Sequence, residues 1–339
     1  MNSMHNPRPL APAQFTRQDM KLQPSERAQV QGHTDLIHDT QFDFYGQLLA
    51  TASSDRSIGI HLIREGQPIQ RIASLTGHQG PVWAVDWAHP RFGHVLASAS
   101  FDQKAIIWKD VMGRWNPVHV VDIHQESVNS VAWGPEELGL LLATASSDGT
   151  VAVTAFRDGF WQESIKLSSN NNKITHAMGA MCVSFVPVMA DFGDEFILAS
   201  GGCDCQVRLW TNDKTLSRTF KLFQVVEGHS DWVLDVAFCK ISASSRFAMF
   251  ASCGKDKQIV IYRKPWEQLY LELSDPSVAQ LSWENSVVVM DEAVWRLSWA
   301  PSGQILVATT ASSQVFILQE GSDFIEPWIV TPLEDYQRE

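Results

Sequence analysis

One frame repeats six times along this chain, and no other feature restricts its fold as strongly. In the clearest copy, residues 77–108, a Gly-His pair precedes spaced apolar residues, and a small-residue strand, LASAS, leads to Asp102 and then to Trp108. The six copies begin at His33, His78, His124, His176, His229 and Met290. They recur at a period of roughly 50 residues, which indicates a repeated supersecondary unit whose copies pack against one another.

The Gly-His pair, the Asp and the late Trp at this period are typical of a WD-repeat β-propeller. We therefore predict an all-β, six-bladed propeller over residues 29–330, between a disordered Pro-interrupted tail (1–28) and a C-terminal tail (331–339). Six apolar segments can form the outer strand of a blade, near residues 67–75, 115–123, 160–167, 218–226, 266–273 and 324–330. Because all six occur in chain order, neither terminus has to cross over and lock the ring. We predict that the ring is open between blades 1 and 6; a ring closed by side-chain packing alone is the alternative.

In WD-repeat proteins the His, a Ser or Thr, the Asp and the Trp of a repeat form a buried hydrogen-bonded set. Two copies here have all four members: His78, Ser98, Asp102, Trp108 and His176, Ser200, Asp204, Trp210. His and Asp also bind zinc and transfer protons, but these pairs recur once per blade and would be spread around a ring instead of converging on one point. The chain also has no phosphate loop, no G-x-S-x-G and no H-E-x-x-H. We predict no catalytic residue, no metal and no cofactor.

Composition excludes several classes of function. The formal net charge is -12, and no Lys/Arg cluster stands out, so we expect no direct binding to nucleic acid or to an anionic membrane. Five scattered cysteines, an odd number, fit a reducing compartment better than a disulfide framework. There is no apolar signal segment and no run of eighteen apolar residues, which predicts a soluble protein of the cytosol or nucleus without membrane insertion.

Four short segments make the resemblance more specific: GPVW (80–83), SVNSVAW (127–133), SGGCD (200–204) and HSDWV (229–233). With their flanking repeats they resemble the Sec-thirteen (Sec13) family, over roughly residues 30 to 320. That family is shared by the COPII vesicle coat and the outer ring of the nuclear pore. A sister nucleoporin, Seh-one, shares the DLIHD and WAHP features of this chain and is an alternative.

The resemblance implies an open six-bladed propeller that receives a seventh blade from the N-terminal segment of a partner. The implied partners are α-solenoid proteins: the long coat subunit of COPII and a scaffold nucleoporin. A nutrient-signalling WD complex is a further possible partner. The implied locations are the cytoplasm at endoplasmic reticulum (ER) exit sites and COPII vesicles, and the nuclear envelope at the nuclear pore.

The sixth copy departs furthest from the frame, with Met290, Ala308, Ser312 and Leu318 at the four set positions. We predict that the partner contacts apolar residues of blades 1 and 6 nearest the gap. These are Ile58, Ile60, Val315, Phe316 and Leu318. The predicted function is a non-enzymatic scaffold subunit. The alternative is a closed WD adaptor that reads a short peptide with Arg or aromatic residues around its central channel.

Overall fold

The computed structural model describes residues 30, 32–167, 175–186, 196–212, 220–239, 246–275, 278, 280–321 and 327–336. The predicted N-terminal tail lies outside these residues. The described chain forms six antiparallel sheets, the blades of a β-propeller, each built from consecutive strands. All six outer strands are therefore supplied in chain order, as predicted.

The strands of the first three blades have the following bounds. Blade 1 contains β1 (Ile37–Phe42), β2 (Leu48–Ser53), β3 (Ser57–Leu62) and β4 (Gln70–Thr76); blade 2 contains β5 (Val82–Trp87), β6 (Val95–Ser100), β7 (Ala105–Val111) and β8 (Arg114–Val121). Blade 3 contains β9 (Val128–Trp133), β10 (Leu141–Ser146), β11 (Val151–Arg157) and two short outer strands, β12 (Phe160–Trp161) and β13 (Ile165–Lys166).

Blades 4 to 6 repeat the four-stranded pattern. Blade 4 contains β14 (Ala180–Phe185), β15 (Ile197–Gly202), β16 (Val207–Asn212) and β17 (Phe220–Val226); blade 5 contains β18 (Val233–Phe238), β19 (Phe247–Gly254), β20 (Gln258–Pro265) and β21 (Glu284–Val289). Blade 6 contains β22 (Val294–Trp299), β23 (Ile305–Thr310), β24 (Val315–Glu320) and β25 (Trp328–Pro332).

The second strands explain why the blades can stack. β2 (LLATAS), β6 (VLASAS) and β10 (LLATAS) are buried along their whole length. For β6 and β10 the reason is that each lies between two neighbouring sheets. Their alternate small residues allow the neighbouring sheets to approach closely. The first strand of every blade also carries a bulge between its first and third residues. The bulge places the first residue on the same face as the fourth, as Val82 and Val85 of blade 2 show.

The core consists of five clusters of buried apolar side chains, and each cluster is shared by two consecutive blades. One example joins Ala50 and Ile60 of blade 1 to Val85 and Trp108 of blade 2. Among the described residues, none of the five clusters combines blade 6 with blade 1. The five junctions between consecutive blades, from blades 1 and 2 to blades 5 and 6, are therefore apolar interfaces.

The prediction that residues 266–273 form the outer strand of blade 5 is wrong. These residues form helix α1 (Trp266–Ser274), and the outer strand is β21, further along the chain. Trp266, Leu269 and Leu273 are buried at helical spacing, and this spacing outweighs the strand-like composition of the segment. The helix also covers a buried ion pair, in which Lys264 Nζ lies 2.7 Å from Glu272 Oε2.

At the C-terminal end, the propeller continues beyond the predicted boundary at residue 330. β25 extends to Pro332, and a short helix, α2 (Leu333–Tyr336), follows. The Tyr336 hydroxyl lies 3.3 Å from Gln319 Nε2 on β24 and ties this helix to blade 6. The five cysteines are all free thiols. No helix in the described part of the chain is long and apolar enough to cross a membrane.

Candidate functional site: hydrogen-bond sets and the surface between blades 6 and 1

The structure brings together the four predicted residues of blade 2. His78 Nδ1 lies 2.9 Å from Asp102 Oδ2, and His78 Nε2 lies 2.8 Å from Ser98 Oγ. The indole of Trp108 donates to the same Ser98 oxygen at 2.9 Å. The Asp102 carboxylate also accepts hydrogen bonds from the backbone amides of Gln79 and Lys104. The set therefore pins the loop before β5 to the turn between β6 and β7.

The set in blade 4 has the same geometry with one added charge. His176 lies 2.8 Å from both Asp204 and Ser200, and Trp210 donates to Ser200 at 2.9 Å. Arg208 donates to Asp204 at 2.6 Å. Burial alone would raise the pKa of Asp204, but the hydrogen bonds and charges of His176 and Arg208 outweigh it and lower that pKa. Burial lowers the pKa of His176 and outweighs the opposing effect of Asp204, which favours the neutral form of the histidine.

Three further blades keep the His, the Ser or Thr, and the Asp without the Trp. In blade 1, His61 takes the place of the Trp, with its Nε2 3.1 Å from Thr51 Oγ1. The other two sets are His124, Thr144, Asp148 in blade 3 and His229, Ser252, Asp256 in blade 5. The five sets lie one per blade, and the described residues contain no group of three or more metal-ligating side chains. Their chemistry is that of satisfied buried hydrogen bonds within a blade.

The predicted partner contacts divide between two faces of the sheets. Ile58 and Ile60 are fully buried against blade 2, and Leu318 is fully buried against blade 5, where Phe316 also packs. These four residues already contact neighbouring blades of this chain, so the prediction that they lie nearest the gap is wrong for them. Val315 points to the opposite face of blade 6 and is half-buried. The cause is strand alternation, because adjacent residues of β24 face opposite blades.

The face of blade 6 that carries Val315 differs from its counterparts in the other blades. It also includes Ile305 and Val307, and all three are half-buried. At the position of Val307, blades 1 to 5 have fully buried alanines: Ala50, Ala97, Ala143, Ala199 and Ala251. In those blades this face packs against the next blade along the chain.

The first strand of blade 1 shows the complementary difference. Ile37, Thr40 and Phe42 are exposed, with Ile37 at 40% and Phe42 at 59% of full exposure. The residues equivalent to Ile37 and Thr40 in blades 2 to 6 are all buried against the preceding blade: Val82, Val85, Val128, Val131, Ala180, Val183, Val233, Val236, Val294 and Leu297. The sequence interpretation missed Ile37 and Phe42, although their places in the repeat frame could have identified them.

One charged residue beside the channel was also missed. Arg296, on β22 of blade 6, donates from Nη2 to the backbone carbonyl of Trp83 on β5 at 3.3 Å. The bond joins residues 213 positions apart and spans from blade 6 to blade 2. An arginine that is engaged in this way supports the ring and is not free to bind a peptide.

The fold and its five repeated hydrogen-bond sets define a WD-repeat β-propeller. In agreement, the family model described as "WD domain, G-beta repeat" matches residues 25–61, 69–109, 115–153 and 220–263. The protein transport protein sec13 of Emericella nidulans is 38% identical over 301 residues, covering 85% of this chain and 92% of that protein. The SEC13 homolog of Drosophila melanogaster is 36% identical over 305 residues, covering 86% of this chain and 79% of that protein. The protein transport protein SEC13 of Mycosarcoma maydis is 33% identical, covering 85% and 90%. The chain belongs to the Sec13 family.

Proposed function

We propose that this chain is a non-enzymatic scaffold subunit of the COPII vesicle coat, acting in protein transport from the ER. In this proposal its propeller is open between blades 6 and 1 and receives an extra blade from an α-solenoid partner. The relatives' names as protein transport proteins support the transport role. The same surface would receive a scaffold nucleoporin at the outer ring of the nuclear pore, or a subunit of a nutrient-signalling WD complex.

The observation that carries the proposal is the unequal burial of equivalent positions. Phe42 is 59% exposed, whereas Phe185, at the same position of blade 4, is 8% exposed. On the other side of the junction, Val307 of blade 6 is half-buried where five other blades have fully buried alanines. Two apolar sheet faces that flank one junction are suited to an inserted sheet, because such a sheet would bury both of them.

The test is purification of the tagged full-length chain from the cells that produce it, followed by identification of stoichiometric partners. We expect an α-solenoid protein bound one to one. Phe42→Asp should abolish binding of that partner, because a charge would then face the entering sheet. The matched control is Phe101→Asp. Phe101 is also 59% exposed, but it lies in the turn of blade 2 beside Trp83, near the channel.

The two variants also separate the two classes of function. Loss of the partner with Phe42→Asp and retention with Phe101→Asp supports the open scaffold. The reverse result would favour the alternative, an adaptor that reads a short peptide at the channel. Coat, nuclear pore and signalling subunits among the partners would each identify the assembly in which the chain acts.

A further inference from the structure

One repeated contact links the first strands of consecutive blades. At each of the five junctions, a side-chain oxygen of one blade accepts a backbone amide from the next blade. The bonds, with the acceptor first, are Asp39 to Val85 N (3.0 Å), Asp86 to Trp133 N (2.7 Å), Ser130 to Val183 N (3.4 Å), Ser184 to Phe238 N (3.1 Å) and Asp235 to Leu297 N (2.8 Å). Each junction thus has a polar link in addition to its apolar cluster.

The five links alternate between two positions of the six-residue first strand. An acceptor at the third position, such as Asp39, pairs with the amide at the fourth position of the next blade. An acceptor at the fifth position, such as Asp86, pairs with the amide at the sixth position of the next blade. This follows from strand geometry beyond the bulge, because the third and fifth side chains face the next blade and the fourth and sixth amides lie on the free edge of their own sheet.

The alternation leaves one acceptor unused in blade 6. The third position there is Arg296, whose guanidinium cannot accept a hydrogen bond. The fifth position is Ser298, which is exposed, and its hydroxyl has no hydrogen-bond partner in the described part of the chain. Ser298 occupies the place of Asp86 and Ser184, the two fifth-position acceptors.

The matching donor position in blade 1 is Phe42. It is the sixth residue of β1, as Trp133 and Phe238 are the sixth residues of β9 and β18, and those two amides donate to the preceding blade. Phe42 and Ser298 are both exposed, so the sequence of polar links stops at the junction of blades 6 and 1.

We propose that the strand entering this junction continues the links on both sides. This inference rests on the proposed function. One backbone amide of the entering strand donates to Ser298 Oγ, and the preceding residue is Ser, Thr, Asp or Asn, whose side chain accepts the Phe42 amide. Seven blades cannot alternate between two positions all the way round, so both junctions of the entering strand use the pairing of a fifth-position acceptor with a sixth-position amide. A large apolar residue follows that acceptor, as in Asp86-Trp87 and Ser184-Phe185 of this chain.

The test uses the full-length chain with its copurified partner. Ser298→Ala should weaken the complex about fivefold, the loss expected for one neutral hydrogen bond. Ser298→Thr should restore the affinity. The matched control, Ser302→Ala, removes another exposed hydroxyl of blade 6 and should leave the affinity unchanged.

A cysteine cross-link from Ser298→Cys then identifies the entering strand of the partner. We expect Ser, Thr, Asp or Asn immediately before a large apolar residue, and its replacement by Ala should increase hydrogen exchange at the Phe42 amide. An apolar residue at that place, or unchanged affinity of Ser298→Ala, would overturn the inference while the proposed function stands. Failure of the unaltered chain to form any one-to-one complex would instead overturn the proposed function.

Discussion

The isolated chain offers a matched pair of truncations, Phe42→Ala and Phe185→Ala. The two side chains have the same chemistry and the same place in the blade, but they are 59% and 8% exposed. Truncating a buried phenylalanine costs about 3–5 kcal/mol of folding free energy. Phe42 buries less than half of a side chain of roughly 200 Å², which at about 25 cal/mol per Å² limits its contribution to about 2 kcal/mol. We therefore expect Phe185→Ala to be more destabilising by about 2 kcal/mol.

Urea unfolding followed by tryptophan fluorescence measures this difference, provided that the slope of the free energy against urea is the same for both variants. A smaller shift of the unfolding midpoint for Phe42→Ala than for Phe185→Ala supports an uncovered blade 1. Equal destabilisation by the two variants would refute the reasoning, because it would mean that blade 6 covers Phe42 in solution.

Three further predictions concern buried polar groups. Ser98→Ala should destabilise the protein by about 2–4 kcal/mol in urea, because Trp108 and the histidine of the set lose their shared partner inside the protein; a shift below that of a surface serine variant would contradict the hydrogen-bond assignment. Burial, reinforced by the charge of a nearby arginine, lowers the pKa of His61 to about 4, so stability should be complete above pH 6.5 and fall as the pH drops towards 4; His61→Gln should show a flatter pH dependence, and an unchanged one would contradict the assignment. Glu272→Gln should cost about 3–5 kcal/mol because it leaves the ammonium of Lys264 buried and unpaired; the double variant Lys264→Met, Glu272→Gln should recover much of that loss, and no recovery would show that the pair itself is not the cause.

The repeat frame predicted the architecture well because every blade meets the same physical requirement. The His, Ser or Thr, and Asp must satisfy one another inside the protein, so their spacing identifies the strands and turns between them. The six outer strands were also expected in chain order, and five of the six segments form strands. The exception is residues 266–273, where burial of one side of a helix against blade 4 outweighs local composition.

The surface between blades 6 and 1 was harder to locate from sequence. Ile58 and Ile60 are apolar and belong to an end blade, but Ile37 and Phe42, on the opposite face of that blade, are apolar too. Which face meets a neighbour depends on the strand register within the folded ring. Phe42 is likewise exposed because no neighbouring blade packs against it. The chemistry of a phenylalanine does not reveal whether a neighbour covers it. The polar links show the same limit, because Ser298 becomes notable only when the pairing at the other five junctions is known.

The most direct test of the central claim is a cryo-EM structure of the complex purified through the full-length chain. We predict a sheet of the partner between blades 6 and 1, covering Phe42 on one side and Val307 on the other. Direct packing of blade 6 against blade 1, with the partner bound elsewhere, would contradict the claim.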